Sequence, residues 1–235
     1  MDKLELIEKN AMTNVEKEVY RTLRTNIEFT GIENQVLAIT SCQPNDGKTV
    51  VSYHLASSFA ENGKKTLYID ADLRKSVFTQ RFGIMGNPVG LCHFLSGKEK
   101  ITEVIYKTNK ENLYIIPVGA YPSSPTELLA KDRFSKMLEE LKKAFDYIII
   151  DTPPLGSVID AAVIAKQCDA SMLVLTADSA SRKFVKSVIE QLKSANPNFL
   201  GVVLNKIDSG NSSYYGRYYG RYYGRYYGHY YGHEE

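Results

Sequence analysis

Three short stretches of this 235-residue chain carry residue types suited to handling phosphate. The first is Cys42-Gln43-Pro44-Asn45-Asp46-Gly47-Lys48-Thr49, where an apolar run leads into a loop and a helical pattern follows. In that setting backbone N–H groups at a helix N-terminus face an anion, the lysine neutralises β and γ oxygens, and the threonine hydroxyl binds Mg²⁺. Cys42 stands where the strict G-x-x-x-x-G-K-[ST] pattern has its first glycine. Asn45 sits where a glycine would serve, and asparagine is among the residues most tolerant of a positive φ. Taken alone, Gly-Lys-Thr also reads as a turn and a helix start, so the other two stretches carry the decision.

The second stretch is Leu67-Tyr68-Ile69-Asp70-Ala71-Asp72-Leu73-Arg74. Alternation along an extended chain puts Asp70 and Asp72 on one side. They stand at the carboxyl end of a parallel strand, where open α/β sheets bind ligands. The third, Ile148-Ile149-Ile150-Asp151-Thr152-Pro153-Pro154, closes an apolar strand on an acid. Such an acid is poorly placed for mere solvation and well placed for Mg²⁺, directly or through water. Single strand-end aspartates are commonly turn residues. Three converging on a Gly-Lys-Thr loop point to a nucleoside triphosphate·Mg²⁺ site.

The elements that must position these residues are legible as alternating apolar runs and helical patterns, the signature of βαβ units. Strands are predicted at Val36 to Ser41, Thr66 to Asp70, Leu113 to Pro117, Tyr147 to Asp151, Ser171 to Thr176 and Leu200 to Leu204. Several are apolar at every position, as strands covered on both faces must be. Helices are predicted at Lys48 to Asn62, Thr126 to Phe145, Ala161 to Cys168 and Arg182 to Ala195. A further amphipathic helix, about residues 13–29, precedes the first strand, lies outside the alternation and is free to dock on another surface. Residues 76–100 are broken by Gly83, Gly86, Pro88, Gly90 and Gly97 into short helices and loops over the sheet edge. The expected fold class is α/β, P-loop NTPase-like, a mostly parallel sheet with helices on both faces. The division expected is 1–209 for this domain and 210–235 for a flexible tyrosine-cluster tail.

Composition fits one soluble domain, or at most two small ones, and sets the tail apart. Of 17 tyrosines, ten lie between Tyr214 and Tyr231, in a Tyr-Tyr-Gly-Arg/His unit that repeats every four residues without one aliphatic side chain. A glycine in every repeat cannot build a packed layer, so disorder is the expectation. The net charge of +2 offers no nucleic-acid footprint over the whole molecule. Cys42, Cys92 and Cys168 have neither metal-ligand nor disulfide spacing and read as packing residues in a reducing cytosol. No apolar run reaches membrane-spanning length and the N-terminus lacks a signal-peptide pattern. The expected location is therefore the cytoplasm, with any membrane link made through a partner.

Taken in order, these segments resemble the bacterial tyrosine kinases in their separately encoded Gram-positive form, which serve capsular and exopolysaccharide synthesis. The resemblance covers about residues 15–208 plus the tyrosine tail. It rests on Pro44-Asn45-Asp46-Gly47-Lys48-Thr49, Ile69 to Arg74, Ile148 to Pro154, Ser124 to Leu129 and Gly201 to Lys206. Glu18, Arg21 and Arg24 match that family's E-x-x-R-x-x-R signature for ring-like oligomers.

The resemblance implies ATP and Mg²⁺ as cofactors. It implies that Asn45, Asp46, Gly47, Lys48, Thr49 and Val50 hold the nucleotide, with Asn205 near an adenine edge. Thr49, Asp72 and Asp151 would serve the metal, and Lys48, Asp70 and Asp72 the chemistry, Asp70 receiving the phenol proton. A carboxylate is a weak base for a phenol of pKa about 10, so its main task would be to orient the hydroxyl. The acceptors implied are Tyr214, Tyr215, Tyr218, Tyr219, Tyr222, Tyr223, Tyr226, Tyr227, Tyr230 and Tyr231, phosphorylated in trans within a homo-oligomer, a ring in this family. Also implied are a transmembrane activator of the polysaccharide chain-length-regulator type, whose cytoplasmic segment completes the ATP site, and a cognate tyrosine phosphatase. The chain would then sit peripherally at the inner face of the membrane through that activator.

Other readings compete. Asn205-Lys206-Ile207-Asp208 matches the NKxD base-reading motif of GTPases, but Thr152-Pro153-Pro154 follows Asp151 where a D-x-x-G switch would be needed. Septum-placement and partition ATPases carry a signature lysine five positions before the loop lysine, and here that position is Gln43. Tyrosine and arginine in the tail also suit stacking on bases, yet Arg217, Arg221 and Arg225 alone give a small electrostatic footprint. Glu18, Arg21 and Arg24 have a plain reading as surface helix pairs. His54 and His93 read as structural.

Overall fold

The strand Val36-Leu37-Ala38-Ile39 illustrates how the sequence builds the sheet: period-two alternation sends Val36 and Ala38 into one apolar layer and Leu37 and Ile39 into the other. Ile148 and Ile150 join the first layer and Ile149 the second in the same way. The computed structural model describes residues 2–8 and 11–207. Elements run β1 (Lys3–Leu4), α1 (Asn14–Glu28), β2 (Val36–Ser41), α2 (Lys48–Glu61), β3 (Thr66–Asp70), α3 (Phe78–Arg81), α4 (Leu91–Leu95) and α5 (Ile101–Val104). They continue with β4 (Tyr106–Thr108), β5 (Leu113–Ile116), α6 (Pro125–Leu129), α7 (Asp132–Lys142), β6 (Tyr147–Asp151), α8 (Asp160–Ala165), β7 (Ala170–Thr176), α9 (Arg182–Ala195) and β8 (Phe199–Asn205).

The eight strands form one sheet in the order β1-β4-β5-β3-β6-β2-β7-β8. Every pairing is parallel except β4 with β5. Helices α6 to α9 cover one face through residues such as Leu129, Phe134, Ile164 and Leu192. The other face is covered by α2, through Val51, Leu55 and Phe59, with Ile27 of α1 and Phe78 of α3. A layered α/β sheet is thus the observed fold, as the alternation predicts.

Three departures are informative. β1 and β4, two and three residues long, are too short to show a period and add an antiparallel element beside β5. The single helix expected over Thr126 to Phe145 is two, because Lys131 adopts extended backbone (φ −71°, ψ 146°) as the N-cap of α7, with no Gly or Pro to mark the break. Helix α8 stops at Ala165, short of Cys168, and Asn196 Nδ2 donates to the carbonyls of both Ala165 and Cys168.

Helix α1 begins where the sequence places it. Thr13 and Glu16 form a reciprocal capping box, Glu16 Oε2 accepting from Thr13 N at 2.8 Å. The helix docks on its own chain: Arg24 Nη1 donates to Ser58 O of α2 at 2.9 Å, and the Tyr20 ring lies 5.2 Å from that of His54. The polar-to-apolar contrast that made α1 look unattached is therefore partly satisfied within the fold. Among the described residues, no helix is long and apolar enough to cross a membrane. The ten tail tyrosines, and Asp208 of the NKxD match, lie outside the described residues.

Candidate phosphoryl-transfer site

The loop between β2 and α2 is wound by two positive φ angles, Asn45 at 67° and Gly47 at 90°. Gly47 is required on steric grounds as well, since a Cβ there would lie 2.1 Å from Asn205 Nδ2. That same Nδ2 donates to Asp46 O at 2.9 Å, so Asn205, at the end of β8, braces the loop. The Asp46 carboxylate turns inward, accepting from Gln43 N at 2.8 Å and from Thr176 N and Ser179 Oγ at 3.4 and 3.3 Å. Its side chain is thus a strut of the loop, and its carbonyl is held by Asn205 Nδ2 and Thr176 Oγ1. Asn45 and Val50 line a cavity of about 650 Å³ on the α1 side of the loop, together with Glu8, His54 and Arg81.

Lys48 opens α2 and points across the strand ends. Its Nζ lies 3.1 Å from Asp72 Oδ2 and 3.8 Å from Asp151 Oδ1. Sheet register explains the convergence: Asp70 of β3 is the direct partner of Asp151 of β6, which pairs on its other side with Ile39 of β2, just before the loop. The three acids that sequence reading singled out are therefore brought together with the loop lysine, all buried.

Burial of that much charge perturbs Lys48, Asp70 and Asp151. Removal from water works against the Lys48 cation, but the carboxylates of Asp151 and Asp72 outweigh it and hold the amine above its ordinary pKa. Asp70 is pushed up to about 8, first by burial and then by the Asp151 charge, against the hydrogen bond it accepts from Ser76 Oγ. A carboxylate so placed is a stronger base than the ordinary one assumed from the sequence. Asp151 is also raised, by burial above all, although Lys48 and the Thr49 hydroxyl oppose the rise.

The residues fit a Mg²⁺ ion of the kind that serves phosphates. Asp151 Oδ1 is buried without a hydrogen-bond partner, and Tyr68 OH fixes the other oxygen, donating to Oδ2 at 3.0 Å. Among the described residues no three acids or imidazoles close on one point as a self-sufficient metal cage. Mg²⁺ needs none, because it takes one or two carboxylates and fills its shell with water and phosphate oxygens.

Sequence reading missed the supports of this cluster. Tyr68 and Ser76, which orient Asp151 and Asp70, carry no motif of their own. Arg74 closes the second phosphate-handling stretch, but its role is visible only in three dimensions. Its Nε and Nη2 engage both oxygens of the buried Asp160 at 2.6 and 3.0 Å, and Nη2 also donates to Thr126 Oγ1 at 3.0 Å. This clamp ties the loop after β3 to the starts of α6 and α8. Thr126 belongs to the Ser124 to Leu129 segment, which sequence alone left without a task.

The remaining candidates separate. Arg21 pairs with Glu18 at 3.4 Å on the exposed face of α1, whereas Arg24 is bound to Ser58 and, at 3.9 Å, to Glu28. The three signature residues therefore do not form one surface patch. His93 accepts from Gly90 N through Nδ1 at 3.1 Å, and His54 is packed against Tyr20, Tyr53 and Phe82. The three cysteines are free, with Cys42 and Cys92 buried. Gln43 Nε2 is held by Ser179 O at 3.3 Å.

Comparison with known proteins places this arrangement. A family model described as an AAA domain matches residues 34–199. The tyrosine-protein kinase CpsD of Streptococcus agalactiae is 43% identical over 215 residues, 91% of this chain and 94% of that protein. The tyrosine-protein kinase YwqD of Bacillus subtilis is 35% identical over 205 residues, 86% of each. Among solved structures, the kinase domain of the Escherichia coli tyrosine kinase ETK superposes with a TM-score of 0.75 at 35% identity, covering 82% of this chain and 77% of that one. The septum site-determining protein MinD of Pyrococcus horikoshii, complexed with Mg-ADP, gives 0.63 at 28% identity over 72% of this chain and 69% of its own. Both share the fold, and the kinases match more of the chain at higher identity. On relatives of 43% identity spanning nine-tenths of both sequences, the chain belongs to the bacterial tyrosine-protein kinase family.

Proposed function

We propose that the chain is an ATP-dependent protein-tyrosine kinase that phosphorylates its own C-terminal tyrosine cluster in trans and thereby regulates capsular or extracellular polysaccharide synthesis and export. The observation that carries this reading is the reach of Lys48 from the phosphate loop to Asp72 and Asp151 at the ends of adjoining strands. Loop N–H groups of residues 45–50 bind the triphosphate, and Lys48 places its charge on the β and γ oxygens. Asn205, braced on the loop, stands on the base side. Thr49, Asp72 and Asp151 would hold Mg²⁺, which when bound neutralises charge on the transferred group.

The reaction breaks the bond from the γ-phosphorus to the β–γ bridging oxygen and forms one from phosphorus to the tyrosine oxygen. ADP leaves, and the phenolic proton passes to the Asp70 carboxylate. Positioning and electrostatics supply most of the acceleration, since the transition state asks for little covalent help.

Residues 1–209 are read as the kinase domain and 210–235 as its acceptor segment. Each added phosphate brings about −1.5 to −2 charge, so modifying several tyrosines turns a slightly basic tail acidic and loosens contacts between copies. Glu18, Arg21 and Arg24 are assigned to a homo-oligomer, in ring form for this family. A transmembrane activator's cytoplasmic segment completes the ATP site and places the chain at the inner membrane face, and a tyrosine phosphatase reverses the cycle.

The test is incubation with ATP·Mg²⁺, alone and with the activator's cytoplasmic segment, followed by intact-mass measurement. Additions of one phosphate mass each that disappear on deleting residues 211–235 are expected. ADP release without any protein-bound phosphate would favour a switch ATPase and refute the kinase reading.

A further inference from the structure

We propose that a cavity beside Tyr121 is the acceptor subsite, and that it takes the aromatic side chain next to the tyrosine being phosphorylated, presented by a Tyr-Tyr-Gly segment of a second copy of the chain. The proposal deepens the kinase reading above and rests on it. The cavity, of about 350 Å³, is lined by Thr79, Asn87, Pro88, His93, Val118 and Tyr121 among others. That volume lies at the small end of ligand pockets, about 300–1,000 Å³. It suits one aromatic side chain with its flanking backbone and is too small for a nucleotide.

Sheet order places the cavity where an acceptor has to arrive. Along the carboxyl edge the order is Asn205 at the end of β8, the phosphate loop after β2, Asp151 at β6, Asp70 at β3, and then Val118 to Tyr121 following β5. A nucleotide laid with its base toward β8 turns its γ-phosphate toward β3. Transfer needs the attacking oxygen roughly in line with, and opposite to, the leaving one. The acceptor chain therefore approaches from the β5 side, where the cavity lies. Adjacent strands are about 4.8 Å apart and consecutive Cα atoms about 3.8 Å, so two neighbouring tyrosines span from Asp70 to the cavity.

The cavity is joined to the catalytic carboxylate by a direct chain of contacts. Tyr121 OH donates to Ser76 O at 3.3 Å, and Ser76 Oγ donates to Asp70. Its walls are also preformed. Leu91 N and Cys92 N donate to Pro117 O and Val118 O at 2.8 and 3.0 Å, so two backbone segments lie in contact. A Cβ on Gly90 would lie 2.0 Å from Pro117 O, and one on Gly119 would lie 2.5 Å from His93 Nδ1. With Nδ1 accepting from Gly90 N, His93 keeps Nε2 as a donor, and Thr79 and Asn87 add polar groups suited to a phenol. The proline, valine and exposed tyrosine supply the apolar contact. The occupant is identified by what the chain itself carries: five consecutive Tyr-Tyr-Gly units in residues 214–232, a pair of aromatics in every one.

The experiment uses the full chain as enzyme and synthetic octapeptides as acceptors: Tyr-Tyr-Gly-Arg twice over, and the same peptide with the first tyrosine, or the second, of each pair replaced by alanine or by phenylalanine. Peptide phosphate is followed by mass. Ala120→Trp and Asn87→Trp, both at exposed positions that line the cavity, fill it. Each is expected to raise the KM for the Tyr-Tyr peptide about tenfold or more while the Kd for ATP stays within twofold. For the unaltered enzyme, one of the alanine peptides should show a similar rise in KM and its phenylalanine counterpart none. In the Trp variants the difference between alanine and phenylalanine peptides should vanish, as coupled sites require. Equal KM values for all peptides with the unaltered enzyme, or Trp variants with unchanged acceptor KM, would overturn the subsite and leave the kinase reading standing. No transfer to any peptide or to the chain's own tail would overturn the kinase reading and the subsite with it.

Discussion

Two groups of charged residues sit within one α/β layer and behave oppositely. Lys48, Asp70, Asp72 and Asp151 are buried at the strand ends, with acids exceeding the single base. Glu18 and Arg21 pair at 3.4 Å on the open face of α1, with more than half of each side chain exposed. The distances are alike and the consequences are not, because water screens the second pair far more than the first. Buried charge of one sign in excess is costly for folding and useful for binding a cation and a phosphate. Exposed charge costs little for folding.

The largest expected effect comes from removing the cation of the buried group. Lys48→Met should lower the rate of tail phosphorylation by about 10²–10³ or more, the scale of losing one preorganised electrostatic contact. Wild-type rates in that variant, followed by intact mass, would dissolve the contrast between the two groups.

The clamp at the border of the buried cluster comes next. Arg74→Met leaves the Asp160 carboxylate buried without its bidentate partner. Because Arg74 is itself about two-fifths exposed, the loss is put at about 2–3 kcal/mol, below the usual figure for a fully buried pair. Chemical denaturation measures it. Adding Asp160→Asn should recover part of the loss, since no unpaired charge is then buried.

His54 sharpens the comparison from the α1 side. Burial pushes its pKa down to about 4, despite the nearby carboxylates of Glu8 and Glu16, with Lys110 and Arg81 adding to the fall. The native state therefore excludes a proton that the unfolded chain accepts near pH 6.5. Above that pH the residue has no effect. As pH falls from about 6.5 to about 4 it should withdraw up to roughly 3 kcal/mol of stability. His54→Gln should flatten the stability profile in that window and leave it unchanged in slope above pH 7.

The smallest effect is expected on α1. Glu18→Ala with Arg21→Ala should change stability by only roughly 0.2–0.5 kcal/mol. Arg24 should be left intact in that variant, because its bond to Ser58 holds α1 to α2 and its loss would mix folding with assembly. Unchanged sedimentation and autophosphorylation in the double variant would remove these two residues from any interface.

How much of this was legible in advance follows from the reach of each signal. Asp151 was readable because an acid closing Tyr147 to Ile150 breaks a run of apolar residues, and Lys48 because Gly47 and Thr49 flank it. Tyr68 and Ser76 were not, because a tyrosine in a strand and a serine in a loop have ordinary uses until a carboxylate is placed 3.0 Å away or against them. The helix over Thr126 to Phe145 was read as continuous because its amphipathic pattern runs on across the break; extended backbone at Lys131 divides it. The family resemblance implies Asn205 near an adenine edge, and the fold gives it a second task, bracing the loop at Gly47, where a side chain would collide with it.

The sequence by itself determined the class of fold, the phosphate loop, the three strand-end acids and the surplus of tyrosine as a separate segment. Those are local facts, written in residue type and spacing, and a linear pattern can hold them. Only the tertiary structure decided that β3 lies between β5 and β6, so that Asp70 pairs with Asp151 on one side and has on the other the strand whose following segment lines the Tyr121 cavity. Strand order and register are set by which apolar faces pack together across the whole chain, and that information has no place in any single stretch of it.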